Sequence, residues 1–89
     1  MTNFSVQGMP VVVVGAARSG VAAARLLVSR GARVTLTESR DEVGPEVTAL
    51  RDAGVELELG GHRDDTLRNA ALVVLSPGVL PTLPVLAAA

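Results

Sequence analysis

The 89-residue sequence has no cysteine, no tryptophan, no tyrosine and one phenylalanine, Phe4. Without cysteine there is no disulfide and no Cys-based metal site. The one histidine, His62, excludes a multi-His metal centre. With one aromatic, the core must be built from Val, Leu and Ala, and the stacking platform that single-stranded nucleic acids need is missing. Lysine is absent as well: all eight basic residues are arginine, and the net charge is −1. That leaves no basic footprint for DNA or an acidic membrane surface. The arginines do lean toward phosphate recognition. No apolar run approaches the roughly 18 residues of a membrane span. Residues 1–10 lack a positive n-region, so no signal peptide is expected and the cytoplasm is the expected location. No Ser/His/Asp set, no carboxylate pair and no G-K-[ST] phosphate loop occurs, so no catalytic residue is assigned.

What remains is 48 % hydrophobic and 19 % charged, the balance of a globular chain. The length predicts one domain over residues 1–89. A domain of this size buries only about 60–65 % of its unfolded surface, so its stability margin is small.

The chain turns around Val11-Val12-Val13-Val14-Gly15-Ala16-Ala17-Arg18-Ser19-Gly20. Four β-branched residues suit a strand buried on both faces. Gly15 ends it, and an Ala-rich helical pattern follows over 19–30, with Gly31 placed to close it. The small residues Ala22, Ala23 and Ala24 would let this helix lie close to a sheet. Further strands are predicted over 33–37, 55–59 and 71–75. A second helix should run from Pro45, in the first helical position, to about 53, with Gly54 closing it. At most a short helix is predicted over 65–69, and a last one starts at 85. This β-α-β alternation predicts a Rossmann-like α/β fold: a parallel sheet in the order 3-2-1-4 with helices on both faces. Ligand should bind outside the carboxyl ends of strands 1 and 4, where the loops 15–20, 38–42 and 76–79 meet.

The turn G-A-A-R-S-G departs from the dinucleotide fingerprint G-x-G-x-x-G by placing Ala17 at the second glycine. It reads as an anion site, where the free N–H groups of a helix start converge on phosphate. The less favoured alternative is the tight start any strand-to-helix turn needs, with Gly20 packing the helix on the sheet. Arg18 at the helix start opposes the helix dipole, which makes sense if an anion lies between them. Glu38, 23 residues after Gly15, could take the ribose hydroxyls of NAD or accept the N3–H of a uracil ring. Ser39 could add a hydroxyl, and Arg40 a flat cation over the ring. Otherwise 38–42 is a solvated loop. Ser76-Pro77-Gly78 would stiffen the turn after strand 4 and leave room for a ligand. On these residues alone, a uridine nucleotide, an NAD(P) module and an empty Rossmann scaffold all remain open.

Taken together, VVVVGAARSGVAAARLL, VTLTESR and LVVLSPGV, with P-V-L-A-A-A closing, resemble the N-terminal domain of the Mur ligases of peptidoglycan synthesis. The S-P-G-V turn is similar to that of the D-glutamate-adding branch rather than the alanine-adding one. The resemblance implies that the domain holds the UDP part of UDP-N-acetylmuramoyl-L-alanine. The site would comprise Gly15, Ala17, Arg18, Ser19, Gly20, Glu38, Ser39, Arg40, Ser76, Pro77 and Gly78. Within it the backbone at Arg18 and Ser19 would meet the diphosphate, Glu38 and Ser39 would address uracil, Arg40 would cover it, and Gly78 would line the pocket. The family commonly has Gly at Ala17 and Asp at Glu38. It also implies that the chain is the N-terminal piece of a longer enzyme, with a central ATP-binding domain and a C-terminal domain to follow. ATP and Mg would act there, and this piece would bind substrate without catalysing.

Overall fold

The computed structural model describes residues 5–75. Four strands and three helices alternate: β1 (Pro10–Val14), α1 (Arg18–Ser29), β2 (Arg33–Glu38), α2 (Pro45–Asp52), β3 (Glu56–Leu59), α3 (Asp64–Arg68) and β4 (Leu72–Leu75). The sheet is parallel throughout, in the order β3-β2-β1-β4. The expected Ser76-Pro77-Gly78 turn and the helix from 85 lie outside the described residues.

The order follows from chirality. The crossovers β1-α1-β2 and β2-α2-β3 step in the same direction, and right-handed connections put both helices on one face. The return from β3 to β4 steps the other way, so α3 must lie on the opposite face. The core records this division. Val11 and Val13 pack with Val34, Leu36, Ala24 of α1, and Val47 and Leu50 of α2. Val12 and Val14 pack with Leu67 of α3. Because side chains alternate along a strand, four successive valines serve two cores at once, and each is at most 3 % exposed.

Helix ends are set by glycine. Gly31, at φ 86°, donates to the Val28 carbonyl while the Ala32 N–H donates to Leu27. Gly54, at φ 100°, donates to Arg51 while the Val55 N–H donates to Leu50. Both are Schellman closures, in which a left-handed residue after the helix satisfies its last carbonyls. Pro45 occupies the first helical position of α2 as expected.

One packing expectation needs correction. Of the alanines expected against the sheet, only Ala24 is buried, and Ala22 is exposed. Gly20 and Ala24, four residues apart, form the contact stripe of α1, and at 100° per residue Ala22 points nearly opposite. As expected, β4 is apolar and pairs with β1; among the described residues it is an outer strand, with Leu72 37 % and Leu75 42 % exposed.

Candidate functional site

The site lies where β1 and β2 end. Register aligns Val14 with Thr37, so the residues that follow each strand emerge side by side. The Gly15 N–H donates to the Thr37 carbonyl at 2.8 Å, continuing the ladder by one bond. Gly15 then adopts φ 98°, a conformation in which a side chain is strained, and the chain turns toward α1. Ala16 is buried, and its N–H donates to Glu38 Oε1 at 2.8 Å.

Ala17 is the N-cap of α1, with φ −67° and ψ 168°. That geometry is ordinary for alanine, so nothing in the backbone calls for glycine there; its methyl group only takes up space in front of the turn. The Ala17 carbonyl accepts the Val21 N–H at 2.9 Å. No side chain caps the helix, and no acidic residue occupies its first turn. The N–H groups of Arg18, Ser19 and Gly20 therefore carry the positive end of the helix with no intrahelical partner. Arg18 and Ser19 are exposed, and Gly20 is buried against the sheet. Beside this turn a cleft of about 620 Å³ is lined by Ala16, Arg18, Val21, Ala22, Arg25 and, from the first turn of α2, Glu46.

The second wall is the loop after β2. Glu38 is 7 % exposed. Its Oε1 accepts Ala16 N–H and, at 3.4 Å, an Arg40 guanidinium N–H. Its Oε2 accepts the Arg40 backbone N–H at 2.9 Å, Arg40 Nε–H at 3.2 Å and the Ser39 hydroxyl at 3.3 Å. Burial alone pushes this carboxyl up, but the backbone donors of Arg40 and Ala16, with the Arg40 guanidinium, outweigh it and hold the group at about 2 rather than 4.5. Ser39 and Arg40 are otherwise exposed, the Arg40 side chain to 63 %.

The structure thus brings Gly15, Ala17, Arg18, Ser19 and Gly20 together with Glu38, Ser39 and Arg40. Ser76, Pro77 and Gly78 fall outside the described residues. Four residues that the sequence reading left unused also shape the site. Gly60 N–H donates to the Arg40 carbonyl at 3.0 Å and Gly61 N–H to the Glu38 carbonyl at 3.1 Å, so the loop after β3 braces the loop after β2. Behind them His62 Nδ1 lies 2.8 Å from the hydroxyl of fully buried Thr37. The Gly60-Gly61 pair directly after a strand was the available signal.

A family model described as "Mur ligase MurD-like, N-terminal domain" matches residues 9–89. The chain belongs to the Mur ligase family. UDP-N-acetylmuramoylalanine–D-glutamate ligase of Desulfosudis oleivorans is 47 % identical to this Mur ligase chain over 85 residues, 93 % of the chain and 18 % of the relative. The enzyme of the same name from Frankia casuarinae is 46 % identical over 90 residues, covering 99 % of the chain and 19 % of the relative. The chain therefore spans about a fifth of the length of the curated relatives it matches. Among solved structures, SirC, a precorrin-2 dehydrogenase, superposes with a TM-score of 0.73 at 16 % identity, over 89 % of this chain and 39 % of its own. The flavoprotein disulfide reductase RclA from Escherichia coli superposes with a TM-score of 0.65 at 20 % identity, over 91 % of this chain and 24 % of its own. At such identities these two establish the Rossmann-like fold and nothing more. Among the described residues of this Mur ligase domain, no group of three or more His, Asp or Glu could hold a metal ion, and no helix is long and apolar enough to cross a membrane.

Proposed function

We propose that the chain is the UDP-binding N-terminal domain of a UDP-N-acetylmuramoyl-L-alanine:D-glutamate ligase, an enzyme of peptidoglycan precursor synthesis acting in the cytoplasm. Support for the branch comes from the named relatives. The observation that carries the ligand is the uncapped start of α1 facing the loop after β2. Free N–H groups of Arg18, Ser19 and Gly20 suit a diphosphate, with Gly15 making the turn and the Ala17 methyl limiting how closely the phosphates approach. The exposed Ser39 hydroxyl and Arg40 guanidinium suit the edge and face of a pyrimidine, with Glu38 behind them. Ser76, Pro77 and Gly78 complete the proposed pocket.

In the whole enzyme, ATP would convert the substrate carboxylate into an acyl phosphate, which the amine of D-glutamate attacks. ATP and Mg²⁺ do not fit the residues of this domain, which offers neither a G-K-[ST] loop nor a metal-binding carboxylate cluster among the described residues. They belong to the domains proposed to follow, and the domain alone binds without catalysing.

Thermal melting with added nucleotide tests the reading. A ligand at a hundredfold excess over its Kd adds about 2.7 kcal/mol to the folded state, and a domain this small gains roughly 4–8 °C per kcal/mol. Saturating UDP is expected to raise the midpoint by about 10 °C or more, and NAD by much less, because besides the crowding at Ala17, which both pyrophosphates meet, nothing in the sequence positions a nicotinamide. A larger shift with NAD would replace this reading with a dinucleotide module. No shift with either, titrated into the millimolar range, would leave an empty scaffold.

A further inference from the structure

We propose that His62 is a positioning residue for uridine recognition: through Thr37 it straps the loop after β3 onto the loop after β2, and the strap holds Ser39 and Arg40 where a pyrimidine meets them. This deepens the UDP-binding reading and rests on it.

The strap is a reversal of the chain. β3 runs parallel to β2 as far as the pair Glu38–Leu59. Gly60 then adopts φ 84°, the chain doubles back, and Gly61 pairs with Glu38 antiparallel. Residues 60–62 therefore run back along the end of β2 and tie to it three times. Gly60 N–H donates to the Arg40 carbonyl at 3.0 Å, Gly61 N–H to the Glu38 carbonyl at 3.1 Å, and His62 Nδ1 lies 2.8 Å from Thr37 Oγ1. The first two ties bracket Ser39. The ties differ in strength. Gly60 and Arg40 are exposed, so water competes for that bond and its net worth is small. Thr37 is fully buried, and His62 is the one hydrogen-bond partner of its hydroxyl among the described residues. A buried hydroxyl left without a partner bears its full desolvation cost, so the third tie is the strongest. Gly60 and Gly61 have no side chain to anchor this segment, and the half-buried His62 ring anchors it for them. Thr37 also separates the two walls of the site. Its carbonyl accepts the Gly15 N–H at 2.8 Å, a backbone bond that holds the phosphate-facing turn with or without His62. Loss of the ring therefore frees the wall that faces the base and leaves the wall that faces the phosphates.

Three variants test this. His62→Ala removes the tie from one end, and Thr37→Val removes it from the other with little change of shape. His62→Asn keeps it, because the amide carries a polar atom one bond from Cγ, as Nδ1 is. Calorimetry gives the affinities of the parent and each variant for UDP, ADP and inorganic pyrophosphate, and NMR gives the amide exchange of Gly60 and Gly61. In His62→Ala and Thr37→Val the UDP:ADP affinity ratio should fall about five- to tenfold, the worth of one hydrogen bond, while pyrophosphate affinity stays within about twofold of the parent. Gly60 and Gly61 should exchange faster in both, and His62→Asn should restore the ratio and the protection. An equal fall for all three probes would mark a merely structural residue and overturn the proposal. So would an unchanged ratio in His62→Ala, or a ratio lost there but kept in Thr37→Val, which would put the ring on the base itself. If the parent bound none of the three probes, or ADP as well as UDP, the UDP reading would fail. The amides of Gly60 and Gly61 would still decide the strap, and unchanged exchange in His62→Ala would overturn it.

Discussion

Acidification should strip this domain of a large part of its stability through Glu38 alone. The carboxyl titrates at about 2 in the folded protein against 4.5 as its ordinary value. The Glu38 side chain is only 9 % exposed, although solvent screens the share due to the 63 % exposed Arg40 guanidinium, so the difference corresponds to at most about 3 kcal/mol of folding free energy at neutral pH. A domain of this length has about 4–13 kcal/mol in all. The sign follows from the depressed value: as pH falls below about 4.5 the unfolded chain binds the proton first, so stability is complete above that pH and is lost progressively down to about 2. About 2 kcal/mol of the contribution is gone by pH 3. With no tryptophan or tyrosine, the assay is urea unfolding followed by far-UV circular dichroism, on the parent and Glu38→Gln, between pH 7 and pH 3. The difference between the two proteins removes whatever the other acidic groups contribute. That difference should shrink by about 2 kcal/mol over the range. A difference that stays constant with pH would refute the assignment of five donors to an ionised Glu38.

Two further substitutions probe turn and core. Gly15→Ala forces a side chain into φ 98° and should cost about 1–3 kcal/mol. It should also abolish the melting shift with UDP. Gly54→Ala meets similar strain at φ 100°, with only Val28 Cγ2 at 3.5 Å from the new methyl, and should lower the melting point while leaving that shift intact. Leu36, fully buried between the valines of β1 and the α1–α2 layer, should lose about 2–5 kcal/mol on replacement by alanine, read as a lower urea midpoint.

The elements of this domain were legible because their signals are local. The run Val11 to Val14 marks a strand enclosed on both faces by composition alone. Gly31, Gly54 and Pro45 mark helix ends through the torsions that each permits. The parallel order followed from alternation and handedness, which constrain any chain of this pattern. Resemblance in three short segments pointed to the Mur ligases, and the family match bears that out.

What the sequence could not decide was who satisfies whom. Glu38 was legible as an acceptor at the end of a strand, but its partner, the Ala16 N–H, is assigned only when sheet register sets Val14 beside Thr37. The pairing of Thr37 with His62 and the brace from Gly60 and Gly61 likewise join residues 20 to 25 positions apart, across strands whose adjacency no local preference encodes. Burial divided in the same way. Ala22 and Ala24 have the same propensity, and only the packing of α1 on the sheet buries one and exposes the other. Local torsional preferences act within a few residues and can be read along the chain. The partner of a buried donor or acceptor is fixed by long-range register and handed crossovers, and so it is decided only in the folded molecule.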